Sequence, residues 1–191
     1  MADFTDTLTP DHVAMIEKQP VFFVATAAEG ARINLSPKGY DAFRVLAPDR
    51  VAYLDLAGSG NETHAHLIAD GRITLMFCNF DRPALILRIY GHTSPVLPRA
   101  AAWDELAAHF EIFPGTRQIF DIAVESVQTS CGWGVPFMEY DRERPTLKKA
   151  HAQADPAEWM AKVSTQIASI DGLPVRTTDR YFAAEAGTAD A

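Results

Sequence analysis

Short apolar segments separated by turn residues follow one another along most of the chain. Residues 21–27, 51–56 and 72–77 are rich in β-branched and aromatic side chains, which is typical of strands. Turn signals such as Glu29-Gly30 and Asp81-Arg82-Pro83 separate these segments from their neighbours. The same pattern predicts further strands at residues 32–35, 85–90 and 119–127. Six strands at this spacing, mostly joined by tight turns, favour an antiparallel barrel over a βαβ fold.

Apolar positions at helical spacing occur before, between and after the strands. Thr9 and Pro10 form the start signal of a short helix, with Thr9 as the N-cap and Pro10 at the first helical position. Three further helices are predicted at residues 61–69, 98–109 and 155–168. The pattern therefore predicts an α+β fold, a six-stranded antiparallel β-barrel with peripheral helices.

Length, composition and charge restrict the class of protein. A chain of 191 residues with 48% hydrophobic residues is expected to form one domain, which we place at residues 1–182 with a C-terminal helical extension. The small and acidic residues 183–191 predict a disordered tail. With 17 Lys and Arg against 25 Asp and Glu, the net charge of −8 argues against binding to nucleic acid.

Signals for membranes, secretion and disulfides are missing from the sequence. No apolar run approaches the roughly 18 residues of a membrane span, and the first residues lack the features of a signal peptide. Cys78 and Cys131 are the only cysteines, which excludes a disulfide framework. We therefore expect a cytoplasmic globular protein that acts on a small molecule and contacts neither a membrane nor nucleic acid.

Residues 54–63 form the first segment that can carry chemistry. A predicted strand runs into a glycine-containing turn that opens a helix, and such a helix start presents free backbone N–H groups to an anion. Asn61 and Thr63 add short polar side chains there. The alternative is simple capping, because Ser59 and Glu62 have the spacing of a capping box, in which the helix satisfies its own donors.

Two further segments have both a functional and a structural interpretation. Lys38 follows Ser36-Pro37 on a predicted turn, where its ammonium group either meets a phosphate or is simply solvated. Trp133 stands between two glycines, where its ring either covers a planar ligand or plugs the end of the barrel.

Two histidines are discounted as metal ligands, and the direction of one arginine side chain is left open. His64 and His66 point about 200° apart on a helix and therefore cannot bind one metal ion, so no metal site is predicted. Arg88 lies inside an apolar strand, where it faces either solvent or a ligand cleft.

The order of these segments resembles the pyridoxamine 5'-phosphate oxidase-like, FMN-binding split-barrel proteins. The resemblance spans residues 21–174 and is carried by VFFVATA, INLSPKG, VAYLDLAGSGNETHAHL, GRITLMF, LRIYGHT, SCGWGVP and SIDGLP. It implies a homodimer of six-stranded split barrels, with two FMN molecules bound in the dimer interface. It also implies a flavin-dependent oxidoreductase, whose substrate the sequence does not identify.

The resemblance also implies the positions that contact the cofactor. The phosphate and ribityl contacts are expected at Asn34, Ser36, Lys38, Asn61 and Thr63. The edge of the isoalloxazine ring is expected along Leu54, Asp55 and Leu56. The second subunit is expected to contribute Ser130, Cys131 and Trp133.

One departure from the family pattern changes the charge expected beside the FMN phosphate. The oxidases proper carry an Arg-Lys pair at the start of the helix, where this chain has Glu62-Thr63. Lys38, helped by Arg32 or Arg88, is therefore expected to supply the missing positive charge. The C-terminal arginine-containing pyridoxal phosphate site has no counterpart either, so the chain is not expected to be a pyridoxamine phosphate oxidase itself.

Two alternatives remain open beside the FMN-dependent oxidoreductase. One is a ligand-binding module on the same barrel that binds flavin weakly or does not bind it. The other is a protein that holds a different planar cofactor, such as haem or a deazaflavin. The candidate haem ligands are His64, His66 and His92.

Overall fold

The structure, a computed structural model, describes residues 2–58, 60–98 and 100–175. These residues form eight strands and five helices. The strands are β1 (Asp3–Thr5), β2 (Phe22–Thr26), β3 (Asn34–Lys38), β4 (Phe43–Ala47), β5 (Arg50–Leu56), β6 (Arg72–Cys78), β7 (Leu85–Val96) and β8 (Thr116–Cys131). The helices are α1 (Pro10–Ile16), α2 (Glu62–Ala69), α3 (Trp103–Ala107), α4 (Thr146–Gln153) and α5 (Pro156–Ser164). The predicted tail at residues 183–191 and the end of the predicted domain lie outside the described residues.

All eight strands belong to one antiparallel sheet. Its order is β3-β2-β6-β7-β8-β5-β4, and β1 pairs with the end of β8. β3 and β4 follow each other in the chain yet occupy opposite edges, so residues 39–42 cross from one edge to the other. Tyr40 and Asp41 turn the chain there in the left-handed region, with φ of 63° and 52°. We call the gap between β3 on one side and β4 and β5 on the other the seam.

Aromatic side chains inside the curled sheet pack across the seam. The Phe22 ring of β2 lies 5.3 Å from the Phe43 ring of β4 and 5.7 Å from the Tyr53 ring of β5, between centroids. Phe77 of β6 lies 5.5 Å from Phe22. Burying a side chain such as Phe22 stabilises the fold by roughly 1.5–3 kcal/mol relative to leaving it exposed. The predicted α+β split barrel is therefore confirmed.

Helix α2 packs against β2, β6 and β7, and three of its polar side chains lie inside the fold. Thr63, His64 and His66 are all buried. The His66 Nδ1 atom lies 3.1 Å from the Thr26 hydroxyl, so the helix is tied to β2 by a polar contact as well as by packing. The start of α2 is thereby fixed beside β3, which pairs with β2.

The strand count differs from the prediction, because the sheet has eight strands and not six. The missed strands are β1 and β4. β3 was also placed wrongly: the predicted strand 32–35 ends in a turn, whereas the observed strand continues through Lys38. Pro37 is compatible with this strand because β3 lies at an edge of the sheet, where a missing N–H breaks no ladder. Ser36 and Lys38 therefore lie on a strand, with side chains on the same face.

The helices show smaller differences. The predicted helix at residues 61–69 is confirmed as α2, with Asn61 preceding its first residue. The predicted helix at residues 98–109 is α-helical only over α3, and the predicted helix at residues 155–168 ends earlier, in α5. Helix α4 was not predicted. Across the described ranges, no helix is long and apolar enough to cross a membrane.

Candidate functional site

A buried cluster of charged and amide side chains centres on Asp55. Its Oδ2 atom accepts hydrogen bonds from Arg117, at 2.8 Å from Nε and 2.7 Å from Nη2, and from Gln118 Nε2 at 2.7 Å. Its Oδ1 atom accepts one from Lys38 Nζ at 3.2 Å. Asp55 is only 1% exposed, so this carboxylate depends on these partners for its solvation.

The strand pairing explains how these residues meet. Asp55 of β5 and Gln118 of β8 are direct partners in the sheet, so their side chains point to the same face. Lys38 of β3 pairs with Phe22, whose ring lies inside the barrel, so the lysine also points inward. Lys38 therefore reaches Asp55 across the seam.

The electrostatics of the cluster favour an ionised Asp55 and leave one positive charge in excess. Burial alone raises the pKa of Asp55, but Arg117, Lys38 and the hydrogen bond from Gln118 together lower this pKa to about 2. Two cations then stand against one carboxylate. The Lys38 side chain is 22% exposed and that of Arg117 is 6% exposed, so Lys38 is the cation that a ligand can reach.

The start of α2 is held by the same cluster. Arg117 Nη1 donates to the Gly60 carbonyl at 2.8 Å, and Gln118 Nε2 donates to Asn61 Oδ1 at 3.0 Å. Asn34 Nδ2 of β3 donates to Thr63 Oγ1 at 3.0 Å. Asn61 makes no side-chain cap to the helix backbone, so its side chain serves the cluster instead.

Ser36 is the open position in this arrangement. Asn34, Ser36 and Lys38 share one face of β3, and the two outer residues are bonded to Thr63 and to Asp55. The Ser36 Oγ atom between them is buried and has no hydrogen-bond partner. A buried hydroxyl without a partner is costly, so a polar ligand that reaches Ser36 would recover that cost.

Among the described residues, Glu62 bonds to the C-terminal segment and not to the row that Asn34, Ser36 and Lys38 form on β3. Its carboxylate oxygens accept from the backbone N–H of Ile170, at 3.0 and 3.2 Å. The capping-box alternative therefore gains no support at Glu62, whose carboxylate is engaged with the C-terminal segment. Ser59, the other member of that box, lies outside the described residues.

A cavity of about 1030 Å³ adjoins the far end of the row. Gly39, next to Lys38, and Leu54, next to Asp55, both line it, and Phe22 and Phe77 form part of its apolar wall. Of the three predicted ring contacts, Leu54 alone is among the lining residues. The side chain of Asp55 belongs to the polar cluster, and Leu56 packs against the hydrophobic core.

The residues expected from a second subunit lie at the C-terminal end of β8 and directly after it, beside the start of β7. Arg88 Nη1 donates to Ser130 Oγ at 3.2 Å, and Cys131 and Trp133 are exposed, the tryptophan to 87%. No contact among the described residues joins this group to Asp55. The structure of one chain therefore separates the predicted site into two groups.

The sequence analysis missed Arg117 and Gln118, which complete the cluster. The predicted strand began at Ile119, whereas β8 begins at Thr116. The guanidinium groups of Arg32 and Arg88, expected to assist Lys38, bond to Asp171 and Ser130 instead. One signal in the sequence could have found them: Arg117 and Gln118 directly precede the apolar residues that start at Ile119. Polar residues at the start of a buried strand can be buried with it.

The three histidines considered as haem ligands have different surroundings. His64 Nδ1 lies 2.5 Å from Gln118 Oε1, and His66 is bonded to Thr26, so the two buried imidazoles face different partners. His92 is exposed and pairs with Glu125 at 3.3 Å.

The fold and the cluster define the class: a split-barrel protein with a polar cluster between β3, β5 and the start of α2. The sequence profile of the family described as pyridoxamine 5'-phosphate oxidase matches residues 8–131, more than half of the chain. The chain belongs to the pyridoxamine 5'-phosphate oxidase family.

Several proteins are similar to this chain. The pyridoxamine 5'-phosphate oxidase family protein ustO of Aspergillus flavus is 41% identical over 128 residues, which are 64% of this chain and 51% of ustO. The chain thus spans about half the length of this curated relative. The crystal structure of a single-residue variant of HupZ from Group A Streptococcus has a TM-score of 0.50 at 22% identity, over 64% of this chain and 98% of HupZ.

A second solved structure shows the same fold. It is a Lactobacillus delbrueckii protein provisionally assigned as a pyridoxamine 5'-phosphate oxidase. It has a TM-score of 0.53 at 19% identity and covers 64% of this chain and 94% of its own. At these identities the two solved structures support the barrel fold alone.

Proposed function

We propose that this protein binds FMN and acts as a flavin-dependent oxidoreductase on a small molecule. Membership of the family supports this proposal. The structural observation that carries it is the buried, unpartnered hydroxyl of Ser36, which lies between Asn34 and the lysine of a cluster with one excess positive charge. A phosphate monoester offers oxygen acceptors and a charge of about −1.5 to −2 at neutral pH, so it matches both features.

The phosphate end would be held by β3 and the start of α2. Lys38 has three N–H donors and uses one on Asp55, so it retains donors for a phosphate oxygen. Ser36 would donate its hydroxyl proton to the same group. Arg117 is engaged with Asp55 and Gly60, so it would position Lys38 through Asp55 without contacting the ligand.

The ring end would lie beside Leu54. The cavity there is large enough for a planar tricyclic group, since ligand pockets are on the order of 300–1,000 Å³. Phe22 and Phe77 give it an apolar wall that keeps water away from the ring. Bound FMN supplies hydride chemistry, and the chain's own residues would hold the phosphate, orient the ring and exclude water.

We further propose that the working unit is a homodimer, as the family resemblance implies. The support is a run of exposed apolar side chains after β8, whose burial a second copy would provide. These side chains are Trp133, Phe137, Met138 and Tyr140. In this arrangement Trp133 of one copy would approach the flavin of the other. A stable monomer in sedimentation equilibrium at micromolar concentration would contradict it.

A titration with FMN and riboflavin tests the cofactor proposal. We expect the protein purified without added cofactor to be yellow, and the stripped protein to bind FMN at micromolar concentration or below. Lys38→Met should weaken FMN binding about 10-fold to 100-fold, because it removes a charged hydrogen bond to phosphate. The same substitution should leave the affinity for riboflavin unchanged, because riboflavin lacks the phosphate. Lys149→Met, at an exposed lysine, is the matched control.

One observation favours a second candidate, a ligand module without redox function. Lys38 already bonds to Asp55, so the pair also fits a purely structural role in closing the seam. A colourless protein that takes up no FMN at micromolar concentration would favour this candidate over the flavoprotein. Equal FMN binding by the wild type and Lys38→Met would show instead that Lys38 does not hold the phosphate.

A further inference from the structure

The C-terminal residues 167–175 fold into a hairpin with its own hydrogen bonds. Ser169 N donates to the Leu173 carbonyl at 2.8 Å, and Val175 N donates to the Ile167 carbonyl at 2.9 Å. The Ser169 hydroxyl accepts from the backbone N–H groups of Asp171 and Leu173. We call this element the 167–175 hairpin. It is a built structural element and not an extended tail.

Two anchors attach the 167–175 hairpin to the barrel. The first is the pair of hydrogen bonds from Ile170 N to the Glu62 carboxylate. The second joins Asp171 to Arg32: Oδ2 accepts from the Arg32 backbone N–H at 2.8 Å, and Oδ1 contacts its guanidinium group. Both anchors use tip residues of the hairpin, so its tip is fixed on the barrel surface.

Both anchors adjoin the proposed phosphate end. Glu62 stands between Asn61 and Thr63 at the start of α2, and Arg32 precedes Asn34 by two residues. Asn34 is in turn bonded to Thr63. The row from Asn34 to Lys38 spans about 13 Å at the usual strand rise, with the cavity at the Lys38 end. The 167–175 hairpin is therefore anchored beside the opposite end, near Asn34.

We propose that the 167–175 hairpin sets the cofactor specificity of this site by admitting a terminal phosphate monoester and excluding a phosphate that continues into a second group. The proposal rests on the proposed function. With the ring at Leu54 and the phosphate near Ser36, any extension beyond the phosphate meets the hairpin. The Glu62 carboxylate adds repulsion against a second phosphate there. FMN fits this description, whereas FAD carries a pyrophosphate and a nucleoside.

The test compares the affinities for FMN and FAD in variants that release the hairpin. Asp171→Ala removes the Arg32 anchor. Gly172→Val acts without changing charge, because Gly172 has a φ of 84°, which a β-branched residue adopts only with strain. Asp141→Ala, at an exposed carboxylate that pairs with its neighbour Arg142, controls for the lost charge. The readout is the ratio of the FAD and FMN dissociation constants, in which a general electrostatic effect largely cancels.

We expect the wild type to bind FMN at least about 10-fold more tightly than FAD. Asp171→Ala and Gly172→Val should each reduce this ratio about fivefold or more, and Asp141→Ala should leave it unchanged. Faster hydrogen exchange at the Ile170 amide should accompany the change in ratio. Equal binding of FMN and FAD by the wild type overturns the proposal.

An unchanged ratio in both hairpin variants overturns it as well, whether or not the Ile170 amide exchanges faster. If the wild type binds neither flavin, the proposed function itself is wrong, and the inference falls with it. These outcomes separate failure of the hairpin's role from failure of the flavin assignment.

Discussion

The Lys38 ammonium nitrogen lies 3.2 Å from Oδ1 of Asp55, and this pair connects β3 to β5 across the seam. β3 and β5 are not neighbours in the sheet, so no ladder hydrogen bonds join them. The pair therefore contributes to closing the barrel as well as presenting a cation to a ligand. Removing the Asp55 charge should mainly lower the stability of the fold, whereas removing the Lys38 charge should mainly weaken ligand binding.

Removal of the Asp55 charge should strongly destabilise the fold. Asp55→Asn leaves the guanidinium of Arg117 buried without a counter-charge, which typically costs about 3–5 kcal/mol. The free energy of unfolding in urea measures this. Asp121→Asn, which breaks the more exposed pair with Arg50, is the control and should cost about 1 kcal/mol or less. Similar losses in the two variants would contradict the burial argument.

The depressed pKa of Asp55 predicts a specific acid sensitivity. Because the folded-state pKa is about 2 and the ordinary value is 3.8, the ionised carboxylate stabilises the fold above pH 4. This stabilisation, about 2 kcal/mol, should be lost as the pH falls from about 4 to 2. The difference in unfolding free energy between the wild type and Asp55→Asn should therefore shrink over this range. A difference that is constant with pH would show that Asp55 does not titrate as described.

A substitution at Gly115 should displace His151 and loosen α4. A Cβ atom at Gly115 would lie 1.9 Å from His151 Nδ1, and the φ of 91° is itself unfavourable for alanine. Gly115→Ala should cost at least about 2 kcal/mol in thermal unfolding. It should also change the fluorescence of Trp159, whose ring centroid lies 4.8 Å from that of His151. Gly134→Ala is the matched control, because nothing lies within 4 Å of that position.

Protonation of His151 should weaken the same contact. Burial lowers the pKa of His151 below its usual 6.5, so the unfolded chain binds a proton that the folded chain does not. Stability should therefore decrease as the pH falls from about 6.5 towards the folded-state pKa. Urea unfolding of the wild type and His151→Gln between pH 7.5 and 5 measures this, and the wild type should show the steeper loss. Parallel profiles would exclude His151 as the titrating group.

Removal of the Ser36 hydroxyl should weaken FMN binding without lowering the stability of the fold. The hydroxyl is buried without a partner, so Ser36→Ala should leave the unliganded protein as stable as the wild type, or up to about 1 kcal/mol more stable. The same variant should bind FMN several-fold more weakly. Calorimetry of unfolding and an FMN titration measure the two effects, with Ser94→Ala as an exposed control. A destabilised variant with unchanged FMN affinity would assign Ser36 a structural role only.

Local sequence patterns predict most of the barrel because they report which side chains can be buried in a strand. β2 has buried residues at alternate positions, as the pattern at residues 21–27 predicts. β4 was missed because the apolar residues Val45, Leu46 and Ala47 are consecutive and break the alternation, and all five residues of the strand are half-buried. β3 was ended too early because Ser36-Pro37 has the composition of a turn, and only its edge position makes it a strand.

The candidate site was predictable only where it depends on local order. Lys38 and Thr63 stand beside a strand end and a helix start, which are visible in the sequence. Arg117 lies 62 residues from Asp55 in the chain, and only the pairing of β5 with β8 brings them together. No local pattern encodes that register, so the sequence alone assigned the second cation to Arg32 or Arg88.

The length of β8 has a consequence for how the protein unfolds. This strand runs along the whole of β7, holds β5 with its first half and ends on β1. Detaching it would strip partners from three strands at once, so neither half of the barrel can persist as an independent folded unit. Denaturation of the barrel should therefore be a single all-or-none transition, with the slowest-exchanging amides shared between β7 and β8.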